Sequence, residues 1–142
     1  MPRVAIRKPR PHERYTAVQP YLLAKFTVDG EPVAKARPRW APRGQTYTSR
    51  PTRDGEAHIQ ESCFVSDPTL RPKLGLIFLR VEFHMAGLGR ADLDNMLKLV
   101  ADALNGIAWH DDRQITRTHA EIFMFSDRPR TEVEVWLVGI PA

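Results

Sequence analysis

Hydrophobic positions recur along the chain with two different spacings, and the alternation between them sets out the elements. Leu22, Ala24, Phe26 and Val28 alternate with Leu23, Lys25 and Thr27, which predicts a strand ended by the turn pair Asp29-Gly30. The clearest strand spans 76–85, with Ile77, Leu79, Val81, Phe83 and Met85 on one face and Phe78, Arg80, Glu82 and His84 on the other. Leu93, Met96, Leu97, Val100, Ala101 and Leu104 then follow helical spacing, and Asn105-Gly106 supplies the stop. An earlier helix runs from Asp54 or Gly55 to about Val65, because Pro68 and Pro72 bar its continuation. Two last strands cover about 115–125 and 131–139, the second burying Val133, Val135 and Leu137 opposite Glu132, Glu134 and Trp136.

Between these elements lie two segments without periodicity. Residues 1–20 are rich in Arg and Pro and read as a basic, flexible arm, so that structure begins near Tyr21 and the folded domain covers 21–142. Residues 31–53 carry Pro32, Pro38, Pro42, Pro51 and Gly44, which predicts a long loop. The resulting order is β, loop, α, β, α, β, β. It predicts an α+β fold: one small domain with a mixed or largely antiparallel sheet and two main helices packed on one face. No internal repeat is present.

Length and composition narrow the function classes. The 142 residues suit a single domain. Cys63 is the only cysteine, which excludes an intramolecular disulfide and a multi-cysteine zinc site and fits a reducing cytosol; a small buried hydrophobe on a helix is its expected role. No run approaches the ~18–20 apolar residues that span a bilayer, and the N-terminus lacks a signal-peptide apolar stretch, so a soluble, cytoplasmic protein is expected, with no membrane partner. The net charge of +4 is modest, but its placement is uneven. Arg3, Arg7, Lys8, Arg10 and Arg14 crowd the arm, and no acidic residue falls between Glu31 and Asp54 in the long loop. A polyanion is the expected partner. Lys35, Arg37, Arg39 and Arg43 are candidate phosphate contacts, the alternative being a solvated loop; Trp40 and Tyr47 could stack on unpaired bases or simply pack.

The chemistry concentrates at Asp92-Leu93-Asp94-Asn95, followed by Lys98, Asp102, Trp109, Asp111 and Asp112. Carboxylates gathered this closely repel unless a cation neutralises them. A helix of ~1.5 Å per residue from Asp92 to Leu104, and an extended return from Asn105 at ~3.3 Å per residue, would bring Asp112 back beside Asp92 and Asp94. Such oxygen ligands favour Mg²⁺, for which Mn²⁺ can substitute, and suit phosphodiester hydrolysis. Lys98, one turn beyond Asp94, could stabilise the transition state or orient the attacking water. The competing reading makes Asp92 an N-cap, Asp94-Lys98-Asp102 an ion-pair ladder and Asp111-Asp112 a turn. His110 beside the acidic pair is a weak candidate ligand, Trp109 a core anchor, His58, His84 and His119 surface or structural residues, and Glu82 and Glu121 possible outer neighbours of the site.

The ordered pattern Asp92-Leu-Asp94-Asn, Lys98, Asp102-Ala-Leu, then Trp109-His-Asp111-Asp112-Arg-Gln114 resembles the RusA-type Holliday junction resolvases. A looser similarity extends over 23–140, including Gly30-Glu31-Pro32-Val33, Lys35, Arg37-Pro38-Arg39 and Tyr47-Thr48. The resemblance implies a homodimeric, metal-dependent endodeoxyribonuclease, often encoded by prophages, that acts in recombination and repair by paired cuts at four-way DNA junctions. It implies Asp92, Asp94 and Asp112 as catalytic, metal-binding carboxylates and Lys98 as the functional lysine, with Asp111 accessory. Similar proteins can carry several basic residues before the DLDN motif; here the approach is Gly87-Leu88-Gly89-Arg90, and Arg90 joins the candidate DNA contacts. Two other classes remain open on the residues alone: a DNA-binding accessory protein with a structural acidic cluster, and a hydrolase of small phosphoesters.

Overall fold

The computed structural model describes residues 14–36, 39–40, 46–47, 49–89 and 92–142, with 39–40 and 46–47 described by backbone alone. Strand β1 covers Tyr15–Asp29, β2 Arg39–Trp40, β3 Thr46–Tyr47 and helix α1 Arg50–Ser66. Strand β4 covers Leu76–His84, α2 Leu93–Leu104, β5 Ile115–Phe123 and β6 Arg130–Pro141. The main sheet has the order β1-β6-β4-β5, in which β4 and β5 run parallel and the other neighbours antiparallel; β2 and β3 form a separate small hairpin. This is the expected α+β domain, a mixed sheet with two helices on one face.

The core lies between that face and the helices. Ala24, Phe26 and Val28 of β1, Ile77, Leu79, Val81 and Phe83 of β4, and Val133 and Val135 of β6 meet Ile59 and Cys63 of α1 and Met96, Leu99, Val100, Ala103 and Leu104 of α2. Burying each such large aliphatic or aromatic side chain contributes ~1.5–3 kcal/mol. Cys63 occupies the buried helical position expected of it, and desolvation, with Asp67 nearby, raises its thiol pKa.

The hairpin β2–β3 falls within the expected long loop 31–53, and two element starts differ by several residues from expectation. β1 begins at Tyr15, ahead of the anticipated Tyr21, because Tyr15, Thr16 and Ala17 pair with Pro141, Ile140 and Gly139 of β6. The sequence hides this pairing: the register is irregular between Ala17 and Tyr21, where Pro20 supplies no N–H, and this stretch of β1 faces largely solvent. The remainder of the expected arm, residues 1–13, lies outside the described residues. Helix α1 also starts earlier, at Arg50, since Pro51 stands in its first turn where a missing N–H costs nothing.

At the end of the sheet near the start of β4, the chain is held by a close approach to the backbone of β6. Gly75 has φ +121°, and a Cβ there would stand 2.4 Å from the Gly139 carbonyl oxygen. Gly75→Ala is therefore expected to lower stability by at least about 2 kcal/mol, read as a reduced urea midpoint. An unchanged midpoint would mean that β6 can withdraw at this point without loss.

Candidate active site

Helix α2 opens at Asp92, whose side chain accepts a hydrogen bond from the Asp94 N–H at 3.1 Å, an N-cap interaction. The capping half of the competing reading therefore holds. The ladder half does not: among the described residues Lys98 forms no ion pair, and Asp102 pairs instead with Lys35 from the preceding loop. Asp92, Asp94 and Lys98 are all exposed. Asp94 and Lys98 thus stand one turn apart on one helix face, at the end where the macrodipole favours anions.

Asp112 is positioned by a different device. The chain leaves α2 at Asn105 and doubles back tightly, with Gly106 at φ +82° and its N–H donating to the Trp109 carbonyl at 2.8 Å. Trp109 is fully buried, as a core anchor, and its Nε1 donates to Asp112 Oδ1 at 3.0 Å. Gln114, buried beneath, accepts at Oε1 from the N–H groups of His110 and Asp111 and donates from Nε2 to the carbonyls of Lys73 and Gly75. Asp111 caps the short 3₁₀ turn Asp112–Gln114 by accepting from the Arg113 N–H, and its carboxylate also pairs with the Arg113 guanidinium. Asp111 thus has a structural role, while Asp112 remains exposed with only one oxygen engaged by Trp109. Burial lowers the pKa of His110, and its buried Nδ1 has no hydrogen-bond partner among the described residues.

The expected return of Asp112 to Asp92 and Asp94 is not what the protomer shows. The segment from Asn105 to Asp112 turns at the far end of α2 instead of running back along it, and the return is made by β5. In the parallel pair, Ile115 lies beside Ile77 and Phe123 beside His84. Asp112 therefore sits by the start of β4, whereas Asp92 follows its end. The seven residue steps from Ile77 to His84 cover roughly 23 Å at ~3.3 Å each, and no metal-sized grouping among the described residues contains all three aspartates. One protomer presents the acidic motif in two halves, at opposite ends of α2.

Of the candidate DNA contacts, Lys35 is held against Asp102 and anchored by its N–H to the Asn95 carbonyl. Arg37, Arg43 and Arg90 lie outside the described residues, and Arg39, Trp40 and Tyr47 are described by backbone alone. Glu82 faces the open side of the sheet, in register with both Glu121 of β5 and Glu132 of β6. There it meets His84 and Glu132, a grouping for which the sequence offers only the alternate spacing of 82 and 84, since Glu132 arrives through the β4–β6 register.

Comparison with known proteins adds two findings. Residues 29–136 match the family described as Endodeoxyribonuclease RusA. An uncharacterized protein of Bacillus subtilis (strain 168), YqaN, is 28% identical over 134 residues, covering 78% of this chain and 94% of that protein.

The turn carrying Asp112 depends on Gln114, whose amide satisfies four backbone groups. Gln114→Leu is expected to cost at least about 3 kcal/mol in urea unfolding, because buried N–H and C=O groups lose their partners together. A loss under about 1 kcal/mol would mean that water replaces the amide.

Proposed function

Because this chain belongs to the RusA endodeoxyribonuclease family, we propose that it resolves four-way DNA junctions by paired, Mg²⁺-dependent phosphodiester hydrolysis, acting as a cytoplasmic homodimer in recombination and repair. The observation that carries this reading is the opening of α2, where Asp92 and Asp94 stand exposed with Lys98 one turn on. Hard carboxylate oxygens in an open position are the ligands that Mg²⁺ takes while keeping room for water and phosphate, and Mn²⁺ can substitute. Asp92, Asp94 and Asp112 would hold the ion, which when bound polarises the scissile phosphate and acidifies a water. Lys98 would offset charge on the phosphoryl oxygens. The helix N-terminus adds a favourable field for the same anion. Arg37, Arg39, Arg43 and Arg90 would contact DNA phosphates, as would Lys35 on leaving Asp102. No helix among the described residues is long and apolar enough to cross a membrane.

The separation of Asp112 from the other two carboxylates supports a centre shared between copies. In a two-fold dimer, Asp112 of one protomer would complete the Asp92–Asp94 pair of the other, giving two equivalent sites for two symmetric incisions. Each protomer alone would hold two of the three ligands at one end of α2 and the third at the other.

A labelled synthetic four-way junction, beside a linear duplex, tests both statements. Wild type with Mg²⁺ should make paired nicks confined to the junction, lost in EDTA, in Asp94→Asn and in Asp112→Asn. The two inactive variants, unfolded and refolded together, should regain single nicks, because the mixed dimer holds one intact site. If the junction is bound but uncut under Mg²⁺ and Mn²⁺, the protein is a non-catalytic junction binder. If wild type cuts and the mixture stays inactive, Asp112 acts within its own chain.

A further inference from the structure

The open face of the sheet holds a second set of ligand-type side chains, apart from the carboxylates discussed above. One ligand atom each from Glu82, His84 and Glu132 lie within 4.8 Å of one another. His84 Nε2 stands 3.2 Å from Glu82 Oε1 and 3.7 Å from Glu132 Oε2. A tetrahedral ion with ~2.0–2.1 Å bonds separates its ligands by roughly 3.3 Å, so only small rotamer adjustments would be needed.

The surroundings divide the oxygens in a telling way. Arg80 pairs with Glu82 through Oε2, and Arg130 with Glu132 through Oε1. The oxygens nearest His84 are the opposite ones, Glu82 Oε1 and Glu132 Oε2. The guanidinium groups therefore orient both carboxylates from outside and leave their inner oxygens convergent, as outer partners do around metal ligands. The Arg130 hydrogen bond is also the main reason that the Glu132 carboxyl titrates below its ordinary range.

Cross-strand register makes the same point. Arg80 faces Glu134, a complementary pair, but on the next same-face rung Glu82 faces Glu132, and on the one after that His84 faces Arg130. Two carboxylates directly opposed are destabilising in a sheet unless something positive lies between them. Arg80 and Arg130 flank the pair from outside, and the imidazole of His84 lies on the inner side. The ring is also held in place: it stacks on Phe123 with centroids 4.8 Å apart and planes within 10°. A cavity of about 240 Å³, whose lining includes Lys25, Arg80, Glu82, Glu132 and Glu134, adjoins the two carboxylates.

We propose that Glu82, His84 and Glu132 form a site for one borderline divalent ion, Zn²⁺ in preference to Mg²⁺, that clamps the end of β4 to the start of β6. An imidazole with two carboxylates is a donor set for zinc, whereas Mg²⁺ sites seldom include nitrogen. The clamp would lie where β4 feeds the loop to Asp92, so its occupancy would stiffen the base of that loop. It is independent of the proposed nuclease centre, and the experiment keeps the two apart.

The test uses tag-free full-length protein carrying D92N, D94N and D112N, titrated calorimetrically with ZnCl₂ or MgCl₂ and followed by thermal unfolding. One Zn²⁺ per chain should bind, raising Tm by roughly 5–10 °C at saturation, with no comparable response to Mg²⁺. Adding His84→Gln or, separately, Glu132→Gln should weaken zinc binding at least about tenfold and abolish the Tm rise. The conservative Glu132→Asp should weaken binding less than Glu132→Gln. Absence of zinc binding in the D92N/D94N/D112N protein would overturn the proposal. So would zinc binding that both His84→Gln and Glu132→Gln leave unchanged. If either variant fails to fold, the other, judged by its circular dichroism, carries the comparison.

Discussion

Parallel pairing of β4 with β5 is the constraint on which the arrangement of the acidic residues depends. Two parallel neighbours cannot be joined by a tight turn, so the chain must travel back the length of the strand before it can begin the second one. Helix α2 makes that journey, and its apolar stripe, Met96, Leu99, Val100, Ala103 and Leu104, seals the core on the way. The two junctions of such a unit lie at opposite ends of the sheet. Asp92 and Asp94 belong to the first junction and Asp112 to the second. A motif that reads as one cluster along the chain is thereby divided in space.

The same architecture gives the sheet two unlike faces. Against the helices, alternate positions of β1, β4 and β6 are apolar and shielded from water. On the other side, the intervening positions carry Arg80, Glu82, His84, Glu132 and Glu134, with Arg80 paired to Glu82 along β4 and to Glu134 across the β4–β6 register, and His84 meeting Glu132 across it. Partly exposed pairs of this kind add little stability one by one. Their interest lies in geometry, because β6 between β1 and β4 sets which charges oppose each other. At either end of α2, local polar devices finish the structure: an aspartate cap at its start, and beyond its end a buried glutamine that satisfies four backbone groups.

Local periodicity carried far. The faces of β4, the extent of α2, its Asp92 cap, the burial of Trp109 and Cys63 and the α+β class were all legible, because each follows from neighbours within a few residues. The DLDN motif with its downstream Asp-Ala-Leu and Trp-x-Asp-Asp spacing pointed to the RusA family, whose match covers residues 29–136. The start of β1 was not legible, since Tyr15–Ala17 pair with residues at the other end of the chain and bury little apolar surface to mark them.

What the sequence by itself determined is therefore chemistry and local form: which residues carry charge, which segments are helix or strand, and which family's pattern they follow. What only the tertiary structure decided is adjacency. An estimate of reach from helix rise and extended chain allowed Asp112 to rejoin Asp92, but reach sets only an upper bound on what a chain can span, and backbone pairing selects one path within it. Trp109, Gln114 and the parallel register with β4 hold Asp112 at the far end of α2, and the insertion of β6 beside β4 brings Glu132 to Glu82 and His84. Both outcomes arise from hydrogen-bond ladders between residues distant in sequence, which no local pattern of hydrophobic and polar positions encodes.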